Sequence, residues 1–272
     1  MLIDSHAHVN FNAYKNDSDE VIKRCLENGV WMINVGSEYK TSQRAVEFAN
    51  KYSEGVYAAI GLHPIHLSYQ EIDAVVDNNE KIEFKTATEE FDFEKYKELA
   101  QDKKVVAIGE TGFDFYREAA PKEIQEKTLL AHIKLAEELD KPIIFHCREA
   151  NDDLINLLDD WLKQGRKVKG VIHCFSGGLK EAEKYLDMGF YLGFNGIITF
   201  SRAYDEVVKN MPIERLIIET DCPYLTPEPF RGKRNEPLYV KYVAQKIADL
   251  RNINFDEVAE ITVANTKKLF NL

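Results

Sequence analysis

Hydrophobic and polar positions along this chain change period repeatedly, and the changes mark out its elements. LIDSH at residues 2–6 reads as a short strand, with Asp4, His6 and His8 spaced to share one face. NDSDEVIKRCLENG at 16–29 reads as a helix: Asp17 stands at the N-cap with Glu20 three later, and Val21, Ile22, Cys25 and Leu26 form an apolar stripe closed by Asn28-Gly29. The same alternation continues. WMINVG, VYAAIGLHP, VVAIGE, PIIFHC, GVIHCF, FYLGF and RLIIET predict strands. TSQRAVEFANKY, FEKYKELAQ, PKEIQEKTLLAHIKLAEEL, DDLINLLDDWLKQG, LKEAEKYLDMG and YDEVVKNM predict the helices between them. LYVKYVAQKIADL and FDEVAEITVANTKKLF predict two more at the end. A long acidic stretch, roughly residues 66–92, carries no expected element.

Eight strands alternate with helices, and several strands are unbroken apolar runs of the kind buried on both sides of a parallel sheet. This pattern over 272 residues predicts an α/β fold, a TIM (β/α)8 barrel occupying 1–272 as one domain. A doubly wound open sheet is the alternative, but GSEYKTS and FSGGL fit neither Gly-rich nucleotide loop. No apolar run is long enough to span a membrane, and no signal-peptide pattern opens the sequence. The four cysteines form no CxxC pair, which predicts reduced thiols in a cytoplasmic protein. A net charge of −11 argues against a broad electrostatic grip on nucleic acid.

The ionisable residues change the picture. His6 and His8 end the first strand, His63 follows the third, and Glu110, His146 and His173 end the fourth, fifth and sixth. Asp221 ends the eighth. In a barrel all these ends meet on one face, which carries the active site. A single histidine at a strand end is usually structural; this convergence predicts a metal site, because buried imidazoles and carboxylates are costly unless paired or ligating. Cys147, Cys174 and Cys222 each follow a candidate ligand, so alternation turns them outward as small apolar residues, with zinc ligation the alternative.

DSHAH, GLHP, GETGFDFY, FHCREA, IHCFSG, ETDCPYLTP and RGKRNEP, in this order across the whole chain, resemble the TatD family of metal-dependent deoxyribonucleases of the amidohydrolase superfamily. The resemblance implies a two-metal site, with Zn, Mg or Mn as candidates. It assigns His6, His8, Glu110 and Asp221 to one metal, and Glu110, His146 and His173 to the other. It gives His63 a phosphate-contacting or proton-handling role. It places Tyr116, Arg148, Asn195 and the basic residues of RGKRNEP at substrate. The expected reaction is hydrolysis of DNA phosphodiester bonds at single-stranded ends, with Asp221 as general base and Glu110 bridging. Two cations against two carboxylates make the pocket locally positive inside an acidic protein. Hydrolysis of a small phosphoester, lactone or amide by the same site is the alternative, and a non-catalytic metal-binding protein is a third reading. The chain between His63 and Glu110 is longer than the resemblance leads one to expect. Its first reading is a solvated surface insertion, its second a segment that narrows access to the site.

Overall fold

The computed structural model describes residues 1–75, 81–86, 88–116 and 120–272. Eight parallel strands form one sheet in the order β1 (Leu2–Ala7), β2 (Val30–Val35), β3 (Val56–Ile60), β6 (Val105–Asp114), β7 (Ile143–Arg148), β8 (Gly170–Ile172), β9 (Tyr191–Phe194), β10 (Leu216–Ile218). Between β3 and β6 in the chain, β4 (Gln70–Val75) and β5 (Lys81–Thr86) pair as an antiparallel hairpin separate from this sheet. The sheet curls into a nearly closed barrel. Its seam is held by a parallel bridge between Ala7 and Cys222, and by Asp221 N–H donating to His6 C=O and His8 N–H to Cys222 C=O, both at 2.9 Å. The TIM barrel expected from the alternating pattern is the fold observed.

Nine helices occupy the described connections: α1 (Ser18–Glu27), α2 (Tyr39–Asn50), α3 (Phe93–Leu99), α4 (Lys122–Leu139), α5 (Asn151–Lys163), α6 (Leu179–Asp187), α7 (Asp205–Asn210), α8 (Val240–Arg251) and α9 (Phe255–Phe270). Strand alternation divides the core in two. Met32, Ala58, Ile143, Phe145 and Ile172 face the helices in the larger cluster. Ile33, Val35, Ala59, Ala107, Ile144, Val171 and Ile217 fill the barrel interior, where Leu269 and Phe270 of α9 join them. No helix among the described residues is long and apolar enough to cross a membrane.

Three details depart from expectation. The acidic stretch 66–92 contains the hairpin β4–β5; residues 76–80 and 87 of it lie outside the described residues. Asp17 does cap α1 by position, but its carboxylate binds Arg234 and accepts no helix N–H. And β6 continues past Glu110 to Asp114, shifting its register against β7 on the way. Gly112 makes that continuation possible, since a Cβ there would stand 1.9 Å from the carbonyl oxygen of His146.

Candidate metal centre

All six expected ligands meet at the carboxyl ends of the barrel strands. The i, i+2 spacing puts His6 and His8 on one side at the end of β1, where the pairing with β2 becomes irregular between Asp4 and Ala7. Their Nε2 atoms lie 3.1 Å apart. His6 Nε2 is 3.4 Å from Glu110 Oε2 and 3.7 Å from Asp221 Oδ1, and His8 Nε2 is 3.4 Å from Asp221 Oδ1. Tetrahedral metal–nitrogen bonds of about 2.0–2.1 Å would set neighbouring donor atoms roughly 3.3–3.4 Å apart. This donor set therefore has the chemistry and spacing of a divalent-cation site. Glu110 turns its other oxygen, Oε1, toward a second set: His146 Nδ1 at 2.7 Å and His173 Nε2 at 3.0 Å. One carboxylate thus addresses two groups of imidazoles.

The outward nitrogens of His8, His173 and His146 are held by neighbours, whereas His6 Nδ1 is buried without a hydrogen-bond partner among the described residues. His8 Nδ1 is 2.8 Å from the carbonyl oxygen of Val35, an acceptor only, so it carries the proton and leaves Nε2 with a lone pair. His173 Nδ1 meets Glu219 Oε1 at 3.2 Å, and His146 Nε2 meets Asp114 Oδ2 at 3.1 Å. Carboxylates behind metal-binding histidines fix ring orientation and raise basicity. Glu219 is held in turn, since its Oε1 accepts the Cys174 N–H at 2.6 Å. A Cβ on Gly193 would come within 2.5 Å of Glu219 Oε2, so only glycine leaves room for this carboxylate.

Charge is concentrated here. Burial opposes the charged form of Glu110, but the surrounding imidazoles of His63, His173, His6 and His146 outweigh it and hold its pKa well below the ordinary carboxylate range. Asp221 is likewise lowered: burial works against it, and His8, His173 and His6 prevail. Burial and the neighbouring His173 lower His6. Burial disfavours protonated His146 and His173 too, yet Asp114 with Glu110 raises the first, and Glu110 with Glu219 raises the second well above the usual imidazole value. Without cations this cluster retains protons; with them, the same carboxylates neutralise metal charge.

The remaining expected residues fall as follows. His63 is buried beside the centre, its Nε2 3.5 Å from Glu110 Oε1, and its Nδ1 accepts the Ile65 N–H. That bond puts the proton of the neutral ring on Nε2, so His63 is a donor toward the centre and is poorly suited to ligation through Nε2. Tyr116 is exposed, with the Arg148 guanidinium 3.8 Å over its ring. Asn195 is buried, and its Oδ1 accepts the Ile197 N–H. Asp4, on the same strand face, touches neither histidine ring: it accepts His6 N–H at 3.2 Å and Thr220 N–H at 2.9 Å, and its second oxygen accepts the Thr220 hydroxyl at 2.5 Å. It stitches β1 to the end of β10. Cys147 and Cys222 pack in the helical layer as expected, but Cys174 does not, because its backbone turns left-handed (φ 47°) directly after His173. Asp114 and Glu219 were not anticipated. Both signals were present: Asp114 lies four residues after Glu110, and Glu219 two before Asp221, spacings that share a strand face.

Many known proteins are similar to this chain. The profile of the family described as TatD related DNase matches residues 3–271. The chain is 44% identical over its whole length to an uncharacterized metal-dependent hydrolase, YabD, of Bacillus subtilis, all of which it covers. It is 34% identical to the 3'-5' ssDNA/RNA exonuclease TatD of Pantoea ananatis, again over all of both chains. The crystal structure of YjjV, a TatD homologue from Escherichia coli, superposes with a TM-score of 0.84 at 31% identity, covering 100% of this chain and 98% of that one.

Proposed function

The chain belongs to the TatD-related DNase family of metal-dependent hydrolases, and on that premise we propose that it removes nucleotides from single-stranded nucleic acid ends by hydrolysing phosphodiester bonds at a two-cation centre. The observation that carries this reading is the bridging posture of Glu110, with Oε2 toward His6 and Oε1 toward His146 and His173. The Pantoea relative is a 3'-5' ssDNA/RNA exonuclease by name. His6, His8, Glu110 and Asp221 would hold one cation, and Glu110, His146 and His173 the other.

Bound divalent cations supply Lewis acidity, lowering the pKa of water and offsetting charge on phosphate oxygens. The chain's residues do the rest. Asp221 is ionised and is the most exposed of its group, with 17% of its side chain accessible against 6% or less for Glu110, His6 and His8. It is therefore placed to accept the proton of the attacking water. His63 presents Nε2–H on the same side and donates to a phosphate oxygen or to the leaving sugar oxygen. Glu219 and Asp114 keep His173 and His146 from turning. Arg148 and Tyr116 receive the phosphate and base beside the broken bond, and Asn195 fixes the loop behind it.

The test uses 5'- and 3'-labelled single-stranded and duplex oligonucleotides with Mg²⁺, Mn²⁺ or Zn²⁺, beside a panel of small esters, lactones and amides. Stepwise shortening of single strands from the 3' end is expected, abolished by EDTA and by Glu110→Ala. Cleavage of the small substrates alone would overturn the nuclease reading and leave a hydrolase of another ester.

A further inference from the structure

Among the described residues six arginines stack on aromatic rings. In four pairs the ring is buried, at Tyr14, Phe48, Trp161 and Tyr191, where the guanidinium covers a side chain already committed to the core. In two pairs the ring is exposed: Tyr116 at 57% and Phe200 at 42%, each with a guanidinium 3.8 Å from its centroid. Both stand on the strand-carboxyl side of the barrel. Tyr116 and Arg148 follow from β6 and β7, while Phe200 and Arg231 follow β9 and β10, three strands further round the mouth.

The Phe200 pair is built rigidly. Phe200 ends the short 3-10 turn Gly196–Thr199 that Asn195 caps. Its Cα is five residues from Asn195, a reach of at most about 18 Å. The Thr199 hydroxyl accepts the Glu228 N–H at 2.9 Å, tying this loop to the one after β10. Arg231 is held by donation from Nη1 to the Thr226 carbonyl at 2.9 Å. An exposed ring pinned under a fixed cation, in a protein of net charge −11, presents a π-face and a positive charge, which match the base and the phosphate of an unpaired nucleotide.

We propose that Phe200 and Arg231 form a base-stacking subsite for the single strand on the far side of the metal centre from Tyr116. This rests on the nuclease reading above and adds to it a source of single-strand preference. A base inside a duplex has both faces covered by its neighbours and cannot stack on Phe200, whereas an unpaired base can. Arg231 meets the adjoining phosphate, so the strand is gripped on both sides of the bond that breaks.

The experiment measures KM and kcat for a labelled single strand and for a series carrying one abasic nucleotide at successive positions from the cleaved end. The proteins are wild type, Phe200→Ala, Phe200→Trp and Arg231→Ala, all metal-loaded. Wild type should show a KM increase of about 5- to 150-fold at one abasic position, the effect of losing one base–aromatic stack. Phe200→Ala should show that increase on the intact strand and no further increase at that position, with kcat and bound cation unchanged. Phe200→Trp should retain wild-type KM, which also excludes misfolding as the cause in the alanine variant. Arg231→Ala should raise KM for intact and abasic strands alike. Unchanged KM in Phe200→Ala, or an increase independent of abasic position, overturns the subsite while the nuclease reading stands. Wild-type protein that cleaves no nucleic acid overturns both.

Discussion

Every imidazole at the mouth has two nitrogens, and whatever holds the outer one decides what the inner one can do. For His8 the outer partner is a carbonyl, for His173 the buried Glu219, for His146 Asp114. Removing the negative charge at Glu219 while keeping its shape should therefore loosen the centre without unfolding the protein. Glu219→Gln is expected to weaken cation retention by about 10- to 100-fold, in line with other outer-shell substitutions, as read by competition with a chromogenic chelator; unchanged retention would mean that Glu219 serves only the Cys174 turn. Of these residues, the six candidate ligands were legible: Glu110, His146, His173 and Asp221 stand at or just past the ends of apolar runs, and His6 and His8 share the spacing of one strand face. Glu219 was harder to read, since an acidic residue before Thr220-Asp221 looks like part of the loop. Nothing local in the sequence gives the left-handed turn at Cys174 that brings its N–H onto the Glu219 carboxylate.

At the level of elements, the eight barrel strands and their helices were readable because burial on both faces demands continuous apolar runs such as VVAI, PIIF and LII. The hairpin was not, although QEIDAV and KIEFKT do alternate with period two; the acidic background masked so weak a signal. The extension of β6 was hidden for a different reason. TGFD holds a glycine and polar residues, which ordinarily end a strand, and here the glycine is what lets β6 lie close against β7. The last helix offers a direct check on the division of the core. Phe270 is 2% exposed and belongs to the interior cluster with the strand residues, not to the helical layer alone. Phe270→Ala should cost about 3–5 kcal/mol, measured by urea unfolding, with kcat of the remaining folded protein preserved. A loss below 1 kcal/mol would show that the barrel floor is closed without it.

Stability as a function of pH belongs to the whole molecule, because it compares the folded chain with the unfolded one. His132 is locked as a neutral ring, with Nδ1 against the Thr128 carbonyl and Nε2 accepting the Leu62 N–H; burial pushes its pKa down to about 4. An unfolded histidine takes up its proton near pH 6.5. Between those values the unfolded chain binds a proton that the folded one refuses, so the contribution is complete above pH 6.5 and drains away as pH falls toward 4. The stability advantage of wild type over His132→Gln should narrow by about 3 kcal/mol from pH 7 to pH 4; a constant gap would mean that burial does not hold this ring neutral. The barrel seam has a consequence of another kind. His6 and His8 arrive with the first strand, while Asp221, hydrogen-bonded to His6 through its backbone, arrives with the last. More than two hundred residues separate the halves of this one candidate cation site. A chain growing from the ribosome holds its first two histidines, unmatched, through most of its own synthesis, and gains a place for the cation only when the final strand docks. On the proposed reading, the centre stays inert until the chain is nearly finished.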